Sequence, residues 1–156
     1  MNILTESKKD KDILMEKYNI EQLLRDGNAV QFHPLGSSMW PLFVCPKDEA
    51  IVVPVEAGKL KAGDVCLYRG LSGNLIIHRV YKRKGNMLYM VGDHQTEIEG
   101  PIESKDALGI MTHYIRNGKK HRASNPIYCL LSRMWLLLRP FRKSIITFGS
   151  RIKRLF

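Results

Sequence analysis

The spacing of apolar residues changes twice along the chain, and each change marks a boundary between predicted elements. Between residues 5 and 25 apolar side chains recur every three to four positions, the period of an amphipathic helix, and Asp26-Gly27-Asn28 predicts its end. Between residues 29 and 116 short runs of β-branched and aromatic residues alternate with turn residues, which predicts strands. The helical period returns at Ile127.

Four segments follow from this pattern. We expect an N-terminal helix over residues 1–28, a β domain over 29–116, a linker over 117–126 and an amphipathic helical tail over 127–156. Several short strands at turn-length spacing predict a mainly β domain with a partly closed sheet. The chain of 156 residues is long enough for one domain with its own core.

Charge is distributed unevenly between the two ends of the chain. Residues 107–156 contain eleven basic and no acidic side chains, whereas residues 1–106 contain fourteen basic and fifteen acidic ones. The net charge of +10 therefore originates in the last third of the chain. A localised basic block indicates an anionic partner surface, which is either lipid or nucleic acid.

The end of the tail combines this charge with an apolar stripe. On a helical wheel the apolar residues of this segment share one arc, and most of the basic residues lie opposite. The apolar set is Phe141, Ile145, Phe148, Ile152, Leu155 and Phe156, and the basic set is Arg142, Lys143, Arg151, Lys153 and Arg154. This pattern predicts that residues 141–156 lie on an anionic membrane surface. A helix docked on the domain is the alternative.

Other locations and partners are less compatible with the sequence. Nucleic acid is not expected, because the apolar stripe is large and no aromatic-basic sheet motif is present. No run of 18 apolar residues predicts a spanning helix, and the charged N-terminal segment does not look like a secretory signal. We expect a cytoplasmic protein that is peripheral at the membrane, and we expect residues 141–156 to be dispensable for cleaving a short soluble peptide.

Metal and cofactor sites are not predicted either. The three cysteines lie far apart without a C-x-x-C motif, which argues against a zinc ribbon or a disulfide framework and fits a reducing compartment. The histidines and acidic residues lack the spacing of metal ligands, and no phosphate-binding glycine loop occurs. We therefore expect neither a metal ion nor a cofactor.

The segment FHPLGSSMWPLF carries the first candidate chemistry, because it places Ser37 and Ser38 on a turn between two apolar runs. A serine on a turn is by itself a common structural choice. Three further segments follow it in order, namely GDVCLYR, NLIIHRV and MLYMVGD. Over about residues 30–114 this ordered set resembles the S24/S26 superfamily of serine peptidases, which includes signal peptidases and self-cleaving repressors of the LexA type.

The resemblance implies a LexA/signal-peptidase-like β fold and assigns roles to individual residues. The nucleophile would be Ser38, the serine that precedes a methionine. His78 stands where most bacterial members have a lysine base, as in the branch that uses a Ser-His pair. Asp93 would be the acid that supports the histidine, with Glu99 as the alternative. The backbone N–H of Ser38 would stabilise the oxyanion, and Gly36 stands where many relatives supply a serine hydroxyl.

Elementary chemistry agrees with these roles. A serine hydroxyl becomes a good nucleophile only when a base takes its proton, and histidine has a pKa near the working pH. The two residues are 40 positions apart, so the fold must bring them together. We expect a serine endopeptidase that binds an extended peptide along a strand edge. A catalytically inactive relative that binds peptides or regulates another protein is the alternative.

Overall fold

The computed structural model describes residues 20–45 and 47–153. Within this part residues 20–25 are helical (α1), and the rest of the helix predicted over residues 5–25 lies outside the described residues. Residues 126–137 and 142–153 form two further helices, α2 (Pro126–Leu137) and α3 (Arg142–Lys153). Three short 3-10 turns cover Ala57–Lys59, Ser104–Asp106 and Arg139–Phe141.

Within the described residues eight antiparallel strands make up a single sheet, so the mainly β class is confirmed. The strands are β1 (Val30–Phe32), β2 (Glu49–Pro54), β3 (Val65–Arg69), β4 (Leu75–Lys84), β5 (Met87–Val91), β6 (Glu99–Glu103), β7 (Ala107–Arg116) and β8 (Lys119–Arg122). Their order is β1-β2-β7-β3-β4-β5-β6, with β8 paired to β7. The described strands do not close into a barrel, because β1 and β6 remain at opposite ends of the sheet.

Both faces of the sheet are covered in its middle, which explains the continuous apolar run of β3. Val65 and Leu67 belong to one buried cluster, whereas Cys66 and Tyr68 belong to a second. Successive side chains of a strand point to opposite faces, so a strand buried on both sides must be apolar at every position. The first cluster also contains α1 and α2 residues, and the second is enclosed by β4, β5 and β6.

The predicted linker over residues 117–126 contains a β-hairpin instead. Asn117 and Gly118 have positive φ angles of 52° and 71°, and they connect β7 to β8 with Arg116 opposite Lys119. An Asn-Gly pair between two strands favours such a two-residue turn, because both residues tolerate positive φ. The strand was not predicted from the sequence, because residues 119–122, KKHR, are basic and lack the apolar residues of a typical strand. A strand therefore extends the sheet where a connecting segment was expected.

The helical tail packs against the sheet through a few residues. Asn125 caps α2 by accepting a hydrogen bond from the N–H of Ile127 at 2.9 Å. Tyr128 and Ser132 on α2 are buried, as is Arg142 at the start of α3. Most other apolar residues of the two helices are exposed. Among the described helices, none has the length and apolarity that crossing a membrane requires.

Candidate active site

The two serines lie on a helical turn that follows β1, which we call the serine turn (residues 36–43). The N–H of Trp40 donates to the carbonyl of Ser37 at 3.1 Å, and the N–H of Phe43 donates to that of Met39 at 3.0 Å. Met39 and Phe43 are both buried in the first core cluster. Their burial anchors the turn on the sheet, and this explains why a methionine follows the second serine.

The two serines differ in environment. Ser37 is exposed, whereas Ser38 is half-buried. Ser38 also lines a cleft of about 630 Å³ that begins beside β1. No acceptor among the described residues takes a hydrogen bond from the Ser38 N–H, so this donor can serve a developing oxyanion. The environment thus favours Ser38 over Ser37 as a nucleophile.

The cleft has a largely apolar lining contributed by three parts of the chain. These are the start of α1, the segment from β1 to the serine turn, and β3 and β4 with the turn between them. The lining residues are Ile20, Phe32, His33, Pro34, Leu35, Ser38, Leu67, Asn74, Leu75, Ile76 and Ile77. A largely apolar cleft that also contains a serine hydroxyl suits a peptide, whose side chains it can bury.

His78 lies in the middle of β4, opposite Cys66 of β3, and only 3% of it is exposed. Its Nδ1 lies 3.4 Å from Oε1 of Glu99 and 3.3 Å from the hydroxyl of Tyr68. Because a carboxylate only accepts hydrogen bonds, this contact favours the tautomer with the proton on Nδ1. The unprotonated Nε2 is then available as a base, and no hydrogen bond among the described residues engages it.

Tyr68 completes a cluster with His78 and Glu99. Its hydroxyl donates to Oε2 of Glu99 at 2.5 Å, so each oxygen of that carboxylate has its own partner. Burial, followed by the hydrogen bond to Glu99, raises the pKa of Tyr68 well above its ordinary value. The hydroxyl therefore stays protonated and holds the carboxylate in place. Sequence reasoning did not single out Tyr68, because a tyrosine in an apolar strand looks like a core residue.

The protonation of His78 is set by two opposing effects. Burial lowers the pKa of His78 below its usual 6.5, and this outweighs the upward pull of the Glu99 and Asp93 carboxylates. The imidazole is therefore neutral at pH 7. A neutral imidazole whose Nδ1 is held by a carboxylate is ready to accept a proton.

Asp93 does not occupy the position that the sequence predicted for it. Its two oxygens accept hydrogen bonds from Nε and Nη2 of Arg79, at 2.8 and 2.6 Å, and both residues are fully buried. Arg79 also donates to the carbonyl of Gly63 at 2.7 Å. A bidentate pair of this kind fixes the carboxylate on the guanidinium. The geometry therefore favours Glu99 over Asp93 as the acid at His78, and it gives Asp93 a structural contact.

The structure does not bring all predicted residues into direct contact. No hydrogen bond among the described residues joins Ser38 to His78. His78 does not line the cleft that contains Ser38. Its neighbour Ile77 does, and because successive side chains of a strand point to opposite faces, His78 faces the second cluster with Tyr68. Ser38 is connected instead to the loop after β5, since its carbonyl accepts a hydrogen bond from the N–H of His94 at 2.7 Å. Catalytic hydrogen bonds are often long until a substrate is bound.

The remaining candidate groups have structural contacts. Asp64, in the GDVCLYR segment, accepts a hydrogen bond from the N–H of Lys61 at 2.8 Å and so closes the turn before β3. Burial raises the pKa of Cys66 to about 12 and that of Cys45 to about 11, which leaves both thiols unreactive. Within the described part of the chain, no three His, Cys, Asp or Glu residues are grouped closely enough to hold a metal ion.

Comparison with known proteins adds nothing to these assignments, because no protein-family model and no curated protein matches the chain.

Proposed function

We propose that the chain is a serine endopeptidase of the signal-peptidase type, with Ser38 as nucleophile, His78 as general base and Glu99 as the acid that orients the base. One observation carries the proposal. A buried, neutral histidine has its Nδ1 held by the carboxylate of Glu99, as the base of a triad requires. Groups with these roles define a triad by geometry rather than by sequence order.

The proposed reaction proceeds through an acyl-enzyme. The Ser38 hydroxyl attacks the scissile carbonyl of the peptide while Nε2 of His78 takes its proton. The Ser38 N–H donates to the oxyanion. The C–N bond then breaks, the proton passes to the leaving amine, and an ester remains on Ser38. Water hydrolyses this ester with His78 again as the base. Glu99 stabilises the transient imidazolium.

The substrate in this proposal is an extended peptide. β1 pairs only with β2 among the described strands, so its other edge can accept a peptide strand. Phe32 at the end of β1 lines the apolar cleft, which can take side chains of that peptide. Leader or signal-like segments, which are extended and contain apolar residues, fit this groove.

A LexA/signal-peptidase-like fold is part of the same proposal. The four motifs occur at sites that suit it. The serine turn follows β1, the first G-D turn precedes β3, His78 lies on β4 and the second G-D pair follows β5. Arg79 of the H-R-V motif pairs with Asp93 of the second G-D pair, so two motifs meet in the core. This pairing gives a physical reason why both motifs occur in one chain.

The test combines serine labelling with peptide cleavage. The full chain, Ser38→Ala and Ser37→Ala are incubated with a fluorophosphonate probe and with a mixture of peptides that is analysed by mass spectrometry. We expect labelling and cleavage by the wild type and by Ser37→Ala, and neither by Ser38→Ala. The matched control is Ser37, which is adjacent but exposed. Cleavage that persists in Ser38→Ala rejects the proposed nucleophile.

A peptide-binding protein without activity is the second candidate, favoured by one observation. Among the described residues Ser38 and His78 share no hydrogen bond, whereas the apolar cleft is already formed. This candidate predicts saturable binding of peptides by the wild type and by Ser38→Ala alike, without cleavage. Products in the mass spectrum of the wild type reject it.

We also propose that the protein attaches peripherally to an anionic membrane on the cytoplasmic side, through an exposed face of α2 and α3. This apolar helix face consists of Ile127, Leu130, Leu131, Met134, Leu137, Leu138, Phe141, Ile145 and Phe148, each at least 39% exposed. No acidic residue occurs after Asp106 to oppose an anionic surface. The three free cysteines fit a reducing compartment.

The face differs from the predicted stripe in two respects. It includes residues of α2, which lie outside the stripe predicted over residues 141–156. Arg142, predicted on the solvent-facing basic side, is buried. Other predicted members lie outside the residues whose side chains are described, namely Arg151, Ile152, Lys153, Arg154, Leu155 and Phe156.

A further inference from the structure

Arg142 is a buried cation, and the described residues offer it no carboxylate partner. It is 0% exposed, and its guanidinium is satisfied by backbone carbonyl groups. Nη1 donates to the carbonyls of Gly92 and Gln95 at 2.8 and 2.7 Å, and Nε and Nη2 donate to that of Trp135 at 3.2 and 3.0 Å. Burying a guanidinium costs free energy unless hydrogen bonds compensate for the lost water. The position of Arg142 is therefore coupled to the position of the carbonyl groups that accept its hydrogen bonds.

Two of the three carbonyls bonded by Arg142, those of Gly92 and Gln95, belong to the loop between β5 and β6, residues 92–97, which we call the 92–97 loop. Two other tail residues bind the same loop. The indole N–H of Trp135 donates to the carbonyl of Asp93 at 2.7 Å, and Nη1 of Arg139 donates to that of Thr96 at 2.5 Å. Four carbonyl groups of one loop are therefore held by the tail.

The 92–97 loop in turn holds the serine turn. The N–H of His94 donates to the Ser38 carbonyl at 2.7 Å, and the Trp40 and His94 rings meet edge to face with centroids 5.5 Å apart. Gly92 packs directly on the nucleophile residue, because a Cβ added there would lie 2.6 Å from the Ser38 carbonyl oxygen. The loop then continues into β6, which begins with Glu99. Two members of the proposed triad thus depend on its position.

We infer that Arg142 is a positioning residue, which holds Ser38 in place for cleavage through the 92–97 loop. This inference rests on the proposed function. It makes the start of α3 part of the active-site framework, and so it predicts, against the sequence-based expectation, that residues 141–156 contribute to cleavage of a soluble peptide. Other contacts hold the loop from the sheet side, where Asp93 is fixed by Arg79. The loop is therefore held by hydrogen bonds from the tail and by the Arg79–Asp93 pair from the sheet.

The test compares Arg142→Ala with Arg122→Ala in the full chain. Arg122 belongs to the same basic block but lies exposed on β8, away from the loop. The readouts are kcat and KM for a peptide cleaved by the wild type, the urea unfolding midpoint, and hydrogen exchange of the His94 amide. We expect Arg142→Ala to lower kcat roughly 10–100-fold, since a displacement of about 1 Å costs that much, with a smaller change in KM.

Rescue separates positioning from a general loss of stability. Methylguanidinium at millimolar concentration should restore part of the kcat of Arg142→Ala and slow its His94 exchange, because it can refill the carbonyl pocket. Arg122→Ala should behave as the wild type in every assay. A folded Arg142→Ala with wild-type kcat and wild-type His94 exchange overturns the inference.

A second variant addresses the case in which Arg142→Ala does not fold. Gly92→Ala leaves the tail intact and should push the Ser38 carbonyl away, with a similar loss of kcat. Wild-type kcat in Gly92→Ala would then reject the inference. If the wild type cleaves no peptide, the proposed function fails. Hydrogen exchange of the His94 amide in Arg142→Ala then still tests whether Arg142 holds the 92–97 loop against Ser38. Faster exchange confined to residues 92–97 and the serine turn supports it, and unchanged exchange rejects it.

Discussion

Nδ1 of His78 lies 3.4 Å from Oε1 of Glu99, although the strands that carry them, β4 and β6, are separated by β5. Tyr68 on β3 reaches the same carboxylate across one more strand. In a flat sheet β3 and β6 would lie about 14 Å apart, since neighbouring strands are about 4.8 Å apart. The sheet must therefore curl over its second apolar cluster, and this curl assembles the cluster of Tyr68, His78 and Glu99.

The two acids should respond differently to removal of their charge. Glu99→Gln should lower kcat on the order of 10⁴-fold, as replacement of an orienting carboxylate does in another triad, and should change stability little because Glu99 is half-exposed. Asp93→Asn should instead destabilise the fold by about 3–5 kcal/mol, because it leaves the Arg79 guanidinium buried without a counter-charge. Steady-state kinetics and urea unfolding measure the two effects. The opposite ranking would return the catalytic role to Asp93.

Ser38 and His78 should act as one unit. Ser38→Ala and His78→Ala should each abolish detectable cleavage, and the double variant should be little worse than either, because a nucleophile and its base contribute jointly. Ser37→Ala should retain activity within a few-fold. The measurement is kcat/KM for one peptide across the four variants, with circular dichroism as the control for folding. Additive losses in the double variant would argue against a shared step.

Cleavage should depend on pH through His78. Burial lowers the pKa of His78, so the neutral base should persist below pH 6.5 and kcat/KM should fall only at lower pH. Glu99→Gln removes a negative charge that raises this pKa, so the acid limb should move to still lower pH while the maximum rate falls. The free energy of unfolding should depend on pH in the same direction as kcat/KM. Protonation is disfavoured in the folded state, so the protein should lose stability as the pH falls below about 6.5, the unfolded value. A limb above pH 6.5 would contradict the assignment.

Membrane attachment should depend on the aromatic residues of α3. Phe148 is 67% exposed, and burying such a side chain contributes about 1.5–3 kcal/mol, so Phe148→Ser should weaken binding to anionic vesicles about tenfold or more. Leu71→Ser is the matched control, because Leu71 is 91% exposed on the β3–β4 turn. Sedimentation with phosphatidylserine vesicles at low and high salt measures the effect. Binding that ignores both Phe148 and vesicle charge would exclude this face.

Several features could be predicted from the sequence because they depend on neighbouring residues. The strands of the β domain follow from alternation and turn chemistry, and the end of α1 at Asp26-Gly27 follows from its stop signal. The Asn117-Gly118 pair also favours a hairpin turn, but the basic residues that follow it led to the prediction of a linker. The helical wheel of the tail placed Phe141, Ile145 and Phe148 on one apolar arc, and all three are exposed. It predicted that Arg142 is exposed, because a helical wheel does not show that backbone carbonyl groups of another segment accept hydrogen bonds from this side chain.

The sequence by itself determined a mainly β chain, the order of the serine, histidine and acidic motifs, and a basic tail with an apolar stripe. These properties are encoded locally, in periodicity, turn residues and charge. Only the tertiary structure decided that Glu99 rather than Asp93 contacts His78, that Asp93 pairs with Arg79, and that Arg142 is buried against the 92–97 loop. Each of these contacts joins residues 14 to 50 positions apart. Their partners are selected by the curl of the sheet and by the competition of buried polar groups for hydrogen bonds, which no local pattern specifies.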